Sequence, residues 1–375
     1  MSTSSLPPRH SRRLLVILAL MFVAAAAYGL PGRAGPLPGR AGQPHLAAGG
    51  TLAVFFTTPE LRYPDAPRNR VAPAFERALL ADIAVARERI ELASFEYNLA
   101  SVAEALIRAR SRGVQVRLAL DREGLHHPAM ARWAGLLEEA GASVSWERSD
   151  SFLHSKFVIL DRRVVWTGSW NVTVNDTYRN NNNLLRISAP QVVANYVAEF
   201  ERMAAGRFGS RKSGATPYPL ARLPGATINV FFSPHEPVRE HVLDYLARAR
   251  RSVDVLAFSF TDDDIAGALI GRHRLGVPVR VVFEARNANG SGSEYARLRA
   301  AGLDVHRDGN CYTMHHKVMI LDQRVVITGS YNFTRRAEEV NDENLLIIED
   351  PGLAQAFAEE FTRVYRQARV PTRCV

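Results

Sequence analysis

LHSKFVILDRRVVWTGSWN, residues 153–171, returns as MHHKVMILDQRVVITGSYN, residues 314–332. His, Lys, Asp, Gly, Ser and Asn recur at identical internal spacing, and the copies lie 161 residues apart. Each begins with an apolar run that reads as a strand, turns at an Asp, and returns as a second strand ending in GSxN. On an extended chain, side chains two apart share a face. His154 and Lys156 therefore face one way, as do His315 and Lys317. Ser169 with Asn171, and Ser330 with Asn332, arrive in the same i, i+2 arrangement on the returning strands. Asp161 and Asp322 have the opposite parity and sit at the strand–turn junction, where Asp organises turns.

An imidazole beside an ammonium opposes metal binding, which needs an electron-rich ligand set. The chain also lacks HxH, HExxH and CxxC patterns. Lys ammonium and Asn amide groups are donors suited to non-bridging phosphate oxygens. A His attacks, accepts or donates a proton near neutrality. One His cannot readily serve as nucleophile and leaving-group acid together, whereas two facing each other across a pseudo-two-fold axis can. The pattern therefore predicts one composite site built from two halves, with no metal and no cofactor.

The duplication extends well beyond these stretches. ERIELASFEYNLASVAEALIRARSRGVQVRLAL (88–120) parallels RSVDVLAFSFTDDDIAGALIGRHRLGVPVRVVF (251–283), and NNNNLLRI (180–187) parallels NDENLLII (341–348). Each half alternates strands and helices, which implies a mixed, largely buried sheet flanked by helices. In the first half helices are expected after an Asn98 N-cap, over about 129–140 and near 190–204. In the second, Thr261 is the expected N-cap, with the acids of TDDD (261–264) in the first turn rather than in a metal cluster. The predicted organisation is a targeting segment (1–30), a Pro/Gly linker (31–50), a first domain (51–205), a linker (206–226) and a second domain (227–370).

The net charge of +9 is concentrated at the start of the chain. Residues 1–45 hold five Arg and no acid, leaving 42 basic against 38 acidic residues in the remainder, or +4. That balance suits an anionic substrate without providing a long basic track for nucleic acid. Only three lysines occur, Lys156, Lys212 and Lys317, against 44 arginines. Two of the three lie in the repeated motif, so a compact ammonium is required there. Arg9, Arg12 and Arg13 precede the apolar run LLVILALMFVAAAAYGL, residues 14–30. This is a signal peptide or an N-terminal membrane anchor, and either exports the chain: periplasmic or secreted if cleaved, tethered to the membrane by residues 14–30 if not. Cys311 and Cys374 are a disulfide or two free thiols. Trp166, Trp170 and Tyr331 line the cleft or pack in the core.

HxKxxxxD followed by GSxN, twice, resembles the phospholipase D superfamily and its paired HKD motifs. The resemblance covers roughly residues 51–370. It implies an α/β fold of two similar phospholipase D-like sandwich domains, related by a pseudo-two-fold axis, with one active site between them. It implies a catalytic signature of His154, Lys156, Asp161, His315, Lys317 and Asp322. Lys156, Asn171, Lys317 and Asn332 would bind the substrate phosphate, with Ser169, Ser330 and Glu343 in support. It also implies a phosphohistidine intermediate resolved by water or another alcohol. Members of the family often carry a carboxylate eleven residues after the motif Asn, which places Glu343 behind His315 and leaves Asn182 in the corresponding position of the first half. On that pairing His315 is the general acid and His154 the nucleophile, and Asp176 is an unplaced substitute partner for His154. The expected substrate is a phospholipid at a membrane surface, with nucleic acid as the alternative, and the expected enzyme is a monomer with no obligate protein partner.

Overall fold

A computed structural model of the chain describes residues 44–371 and Cys374. The proposed signal or anchor at 14–30 lies outside the described residues. Among these no helix is long and apolar enough to cross a membrane.

In the first half β1 (His45–Ala47), β2 (Leu52–Phe56), β3 (Arg89–Ser94), β4 (Gln115–Asp121), β5 (Ser143–Glu147), β6 (Phe157–Leu160), β7 (Val164–Gly168) and β8 (Asn183–Ile187) form one sheet. Its spatial order is β1-β2-β8-β7-β6-β3-β4-β5. In the second half β9 (Leu220–Leu223), β10 (Ala226–Ser233), β11 (Val253–Ala257), β12 (Val279–Phe283), β13 (Asp304–Arg307), β14 (Lys317–Leu321), β15 (Val325–Gly329) and β16 (Glu343–Glu349) form the other. Its order is β13-β12-β11-β14-β15-β16-β10-β9, the same arrangement read from the opposite edge. Only β3–β4–β5 and β11–β12–β13 run parallel. The crossovers run through the helices Ala100–Ser111 (β3 to β4), Pro128–Glu139 (β4 to β5), Asp263–Arg274 (β11 to β12) and Tyr295–Ala300 (β12 to β13), which pack on the outer faces of the sheets.

The inner faces of the two sheets meet in a single core. Phe56, Phe157, Leu185, Phe232, Leu346 and Phe357 belong to one contiguous buried cluster drawn from both halves. The helices Pro190–Ala204 and Pro351–Arg369 supply Tyr196, Phe200 and Phe361 to it. Polar cross-links mirror one another across the interface: Asn183 Nδ2 donates to Thr328 Oγ1 at 2.8 Å, and Asn344 Nδ2 to Thr167 Oγ1 at 3.1 Å. Separating the halves would expose this cluster to water at a cost of roughly 25 cal/mol per Å² of apolar surface.

Several local details differ from expectation. The helix Ala100–Ser111 has Leu99 at its N-cap, and the Asn98 side chain instead accepts from Val174 N–H at 2.9 Å. Asp262, one residue beyond Thr261, caps Asp263–Arg274 by accepting from Asp264 and Ile265 N–H. The stretch 206–226 is structured: Leu220–Leu223 pairs with β10, and Lys212 is buried. Cys311 and Cys374 are bonded, closing a separation of 63 residues. Reduction is expected to destabilise the fold by about 2–4 kcal/mol, read as a lower urea midpoint in reductant. An unchanged midpoint would show that the crosslink constrains nothing in the unfolded chain.

Candidate active site

The two motifs meet because short extended segments exchange hydrogen bonds across the pseudo-two-fold axis. His154 N–H donates to Asp342 O at 2.9 Å, and Asp342 N–H to Phe152 O at 2.8 Å. The mirror pair is His315 N–H to Asn181 O at 2.9 Å and Asn181 N–H to Thr313 O at 2.9 Å. Leu153 pairs with Asp342, and Asn181 with Met314, as isolated parallel bridges. Each catalytic strand is thus registered against the other half, so neither half completes the site alone.

That crossing corrects the expected pairing of Glu343. The Glu343 carboxylate lies 2.8 Å from His154 Nδ1, not behind His315. Asn182 is the residue behind His315, its Oδ1 3.0 Å from Nδ1. The physical cause is the backbone ladder just described. Residue 343 follows Asp342, which is bonded to the strand of the opposite motif, so its side chain reaches that motif's imidazole. Ser330 Oγ donates to Glu343 Oε2 at 2.6 Å, and Ser169 Oγ to Asn182 Oδ1 at 2.8 Å. The serines therefore stand behind the imidazoles, as their place in the motif implies. Asp176, the unplaced carboxylate, lies 3.5 Å from His315 Nδ1 rather than near His154.

Lys156 and Lys317 precede or open their strands and curl back, donating to the carbonyls of His154 at 2.6 Å and His315 at 2.9 Å. Each ammonium lies over an aromatic ring, Phe95 for Lys156 and Phe258 for Lys317. The same rings pack edge-on to His154 and His315, with centroids 5.4 and 4.7 Å away. Phe95 and Phe258 are site residues that the motifs do not contain. They are visible in the sequence as the matching Phe of ELASF and VLAFSF in the aligned halves. By contrast Trp166, Trp170 and Tyr331 are buried, with polar ends donating to Asp82, Thr177 and Glu338. They are core residues.

Asn171 is buried and Asn332 half-buried, and the Oδ1 of each is buried without a hydrogen-bond partner. The Gly of GSxN explains how these residues are delivered. Gly168 and Gly329 have φ of 149° and 150°, and a Cβ at either would stand 2.2 Å from the carbonyl of Asn183 or Asn344. That close approach lets Ser169 and Ser330 N–H bond those carbonyls at 3.1 and 3.0 Å. The following Thr residues, Thr173 and Thr334, cap short helices at Val174–Tyr178 and Arg335–Glu339.

Asp161 and Asp322 stand apart from the chemistry, which corrects their place in the implied catalytic signature. The Asp161 carboxylate accepts from the N–H groups of Arg87, Glu88 and Arg89 at 2.8–3.2 Å. Asp322 does the same for Arg250, Arg251 and Ser252 at 2.6–3.1 Å. Both lead two-residue turns with positive φ, Asp161–Arg162 and Asp322–Gln323, which suit the tight hairpins between β6 and β7 and between β14 and β15. Desolvation opposes their ionisation, but the backbone donors win and hold both below the ordinary carboxylate range. These residues fix the register of the motif strand.

The imidazoles are nearly enclosed, 8% exposed at His154 and 6% at His315. Burial lowers His154; Glu343 pulls the other way, while Lys156 and Lys317 add to the depression. Burial, followed by Lys317, Lys156, His154 and His316, presses His315 well below the imidazole range. Burial likewise pushes Lys156 down to about 8, against the pull of Glu343, Asp176, Glu96 and Asp121. Both imidazoles are therefore neutral near pH 7 in the free enzyme. Among the described residues no group of three or more His, Cys, Asp and Glu is placed to hold a metal ion. The donor chemistry agrees with that, since Glu343 is already engaged by His154 and Ser330 and two ammonium groups face the same space.

A family model described as "Cardiolipin synthase, PLD-like domain" matches residues 79–204 and 242–365. The chain belongs to this family of phosphodiesterases within the phospholipase D superfamily. The mitochondrial cardiolipin hydrolase of Homo sapiens is 41% identical over 135 residues, 36% of this chain and 54% of that protein, so the match spans about half the relative's length. A phospholipase D of Rickettsia bellii is 32% identical over 152 residues, 40% of this chain and 75% of that protein. Among solved structures, phosphatidylserine synthase of Haemophilus influenzae shares the fold with a TM-score of 0.63 at 15% identity, covering 87% of this chain and 88% of that one.

Proposed function

We propose that the protein is an exported, metal-independent phospholipase D that cleaves, or transfers, the phosphodiester of a membrane phospholipid through a phosphohistidine on His154. The observation that carries this reading is the unequal backing of the two imidazoles: a carboxylate behind His154, a neutral amide behind His315. Nδ1–H of His154 donates to Glu343, which leaves the Nε2 lone pair facing the site. As Nε2 attacks phosphorus, the imidazole gains positive charge, and Glu343 balances it. An imidazolium whose Nδ1–H is bonded to an amide rather than to a carboxylate gives up its proton more readily, which suits His315 to the acid role.

In the first half-reaction the N–P bond forms, the P–O bond to the headgroup breaks, and His315 delivers its proton to the leaving alkoxide. In the second, His315 takes a proton from water or an alcohol, the new oxygen attacks phosphorus, and the N–P bond breaks to restore neutral His154. The anionic substrate brings the charge that lets His315 bind its proton. In this reading Lys156, Lys317, Asn171 and Asn332 hold the non-bridging oxygens. The roles of nucleophile and acid are those expected from the sequence, but the reason is reversed, because Glu343 supports the nucleophile rather than the acid.

A phospholipid substrate is supported by the names of the relatives and by the modest charge of the chain beyond residue 45. Export is supported by the apolar run at 14–30 and by the Cys311–Cys374 bond, which suits an oxidising compartment. The deciding assay offers phosphatidylcholine, phosphatidylglycerol, cardiolipin, and single- and double-stranded DNA side by side, with and without EDTA. Lipid turnover insensitive to EDTA is expected. DNA cleavage without lipid turnover would assign the site to nucleic acid, and loss of activity in EDTA would overturn the metal-free mechanism.

The pH dependence follows from Lys156. It carries its positive charge below about 8 and loses it as pH rises through that value. Phosphodiester capture by the free enzyme weakens in the same interval, so kcat/KM is expected to fall across it. A profile flat through this range would show that the Lys156 charge does not bind the phosphate.

A further inference from the structure

The two halves place a carboxylate near the opposite histidine by different routes. In the second half it comes from strand position 343 and bonds His154 directly. In the first half the matching position is Asn182, but Asp176, in the short helix Val174–Tyr178, brings its Oδ2 to 3.5 Å from His315 Nδ1. The residue in register with Asp176 is Ala337, fully buried among apolar neighbours. The carboxylate missing from the strand of the first half is thus present six residues earlier, where the second half has none.

Asp176 is 3% exposed and held in place from several sides. Its Oδ2 accepts from Asn171 N–H at 2.7 Å and Asn171 Nδ2–H at 2.9 Å; its Oδ1 accepts from Asn180 Nδ2–H at 2.6 Å. Its own N–H donates to Thr173 Oγ1 at 3.1 Å. At 3.5 Å it makes no hydrogen bond to His315, whose Nδ1 lies within bonding distance of Asn182. The two tasks that Glu343 performs alone for His154 are therefore divided. Asn182 fixes the tautomer, and Asp176 supplies the negative charge.

We propose that Asp176 is the charge partner of His315: a positioning residue that stabilises the imidazolium needed for leaving-group protonation and orients Asn171 toward the phosphate. This rests on the assignment of His315 as the acid. The need for such a partner is plain from the surroundings. His315 faces Lys317 on its own strand, His316 beside it, and Lys156 and His154 from the opposite half, and all of these disfavour its protonation. Glu343 is committed to His154, which leaves Asp176 as the carboxylate beside His315. Its field also supports both ammonium groups, Lys156 and Lys317. Separating charge from tautomer control yields an acid that can be protonated and yet is not clamped by an ionic hydrogen bond, so it releases its proton readily.

The test compares D176N, D176S and D176N/N182D with wild type, reading the pH profile of kcat and the melting temperature of each. D176N keeps an acceptor for Asn171 N–H and is expected to fold. With the charge gone, the imidazolium is harder to form, so the alkaline limb of kcat is expected to move down by about 1 pH unit, and kcat at neutral pH to fall about 10-fold. In D176N/N182D the carboxylate returns on the strand, and the limb is expected to return toward or above that of wild type. A reduced kcat with an unmoved limb in both single variants would overturn the proposal and leave Asp176 a structural support of Asn171. H315A is the separate control: if it retains wild-type turnover, the acid assignment itself fails, whatever Asp176 does.

Discussion

His154→Ala is expected to abolish phosphodiester turnover, by about 10,000-fold or more, while the protein remains folded and still binds phospholipid. The loss follows from the absence of any other nucleophile at that position: Lys156 is turned back to the His154 carbonyl, and the Ser169 hydroxyl is bonded to Asn182. His315→Ala is expected to differ in kind. With a natural headgroup the leaving alkoxide needs a proton, and turnover is lost to a similar extent. With an aryl phosphodiester the leaving group departs unaided, so H315A is expected to give a burst of aryl alcohol and then stall, because no base activates water. Stopped-flow absorbance distinguishes the two variants. A burst in H154A rather than in H315A would exchange the assigned roles.

Glu343→Gln is the second large effect. Gln preserves volume and an acceptor for Ser330, so the fold is expected to hold. What is removed is the charge 2.8 Å from His154 Nδ1. In the free enzyme His154 is neutral and the loss is modest. In the transition state the imidazole acquires positive charge in a nearly closed, low-dielectric site, and the carboxylate matters most there. A fall in kcat of about 1,000-fold, or about 4 kcal/mol, is expected. If Glu343 had stood behind His315, the same substitution would shift the pH limb of the acid instead. A kcat equal to that of wild type would remove Glu343 from the mechanism.

The sequence reveals the chemistry more fully than the wiring. Six positions repeated in register identify both motifs, and strand parity separates His and Lys from Asp161 and Asp322, whose carboxylates do bind backbone. Which His receives Glu343 is not legible, because it depends on a backbone ladder between residues far apart in the chain: His154 with Asp342, and His315 with Asn181. Neither segment carries a local signal for that pairing. The capping of Asp263–Arg274 moves from Thr261 to Asp262 because both are good caps in adjacent positions, and only the backbone path decides.

Lys212 illustrates the same limit. A Gly- and Pro-rich setting suggests a linker, yet its ammonium is fully buried, bonded to Glu199 and 2.7 Å from Asp342. All three lysines of an otherwise arginine-rich chain are therefore buried against carbonyls or carboxylates, where a compact ammonium fits and a planar guanidinium does not. Scarcity was the usable signal, and it applied to the third lysine as much as to the two in the motifs. The aromatic walls were legible only by alignment of the halves. The conspicuous tryptophans are in the core, and the plain Phe95 and Phe258 line the site.

The most direct test of the composite site is to catch its intermediate. Wild-type protein is mixed with a short-chain phospholipid, quenched in denaturant at non-acidic pH to preserve the N–P bond, and mapped by mass spectrometry. One phosphatidyl adduct per chain is expected, on the peptide that carries His154, and with an aryl phosphodiester it is expected to accumulate in H315A. An adduct on His315 in the active wild-type enzyme would contradict the account.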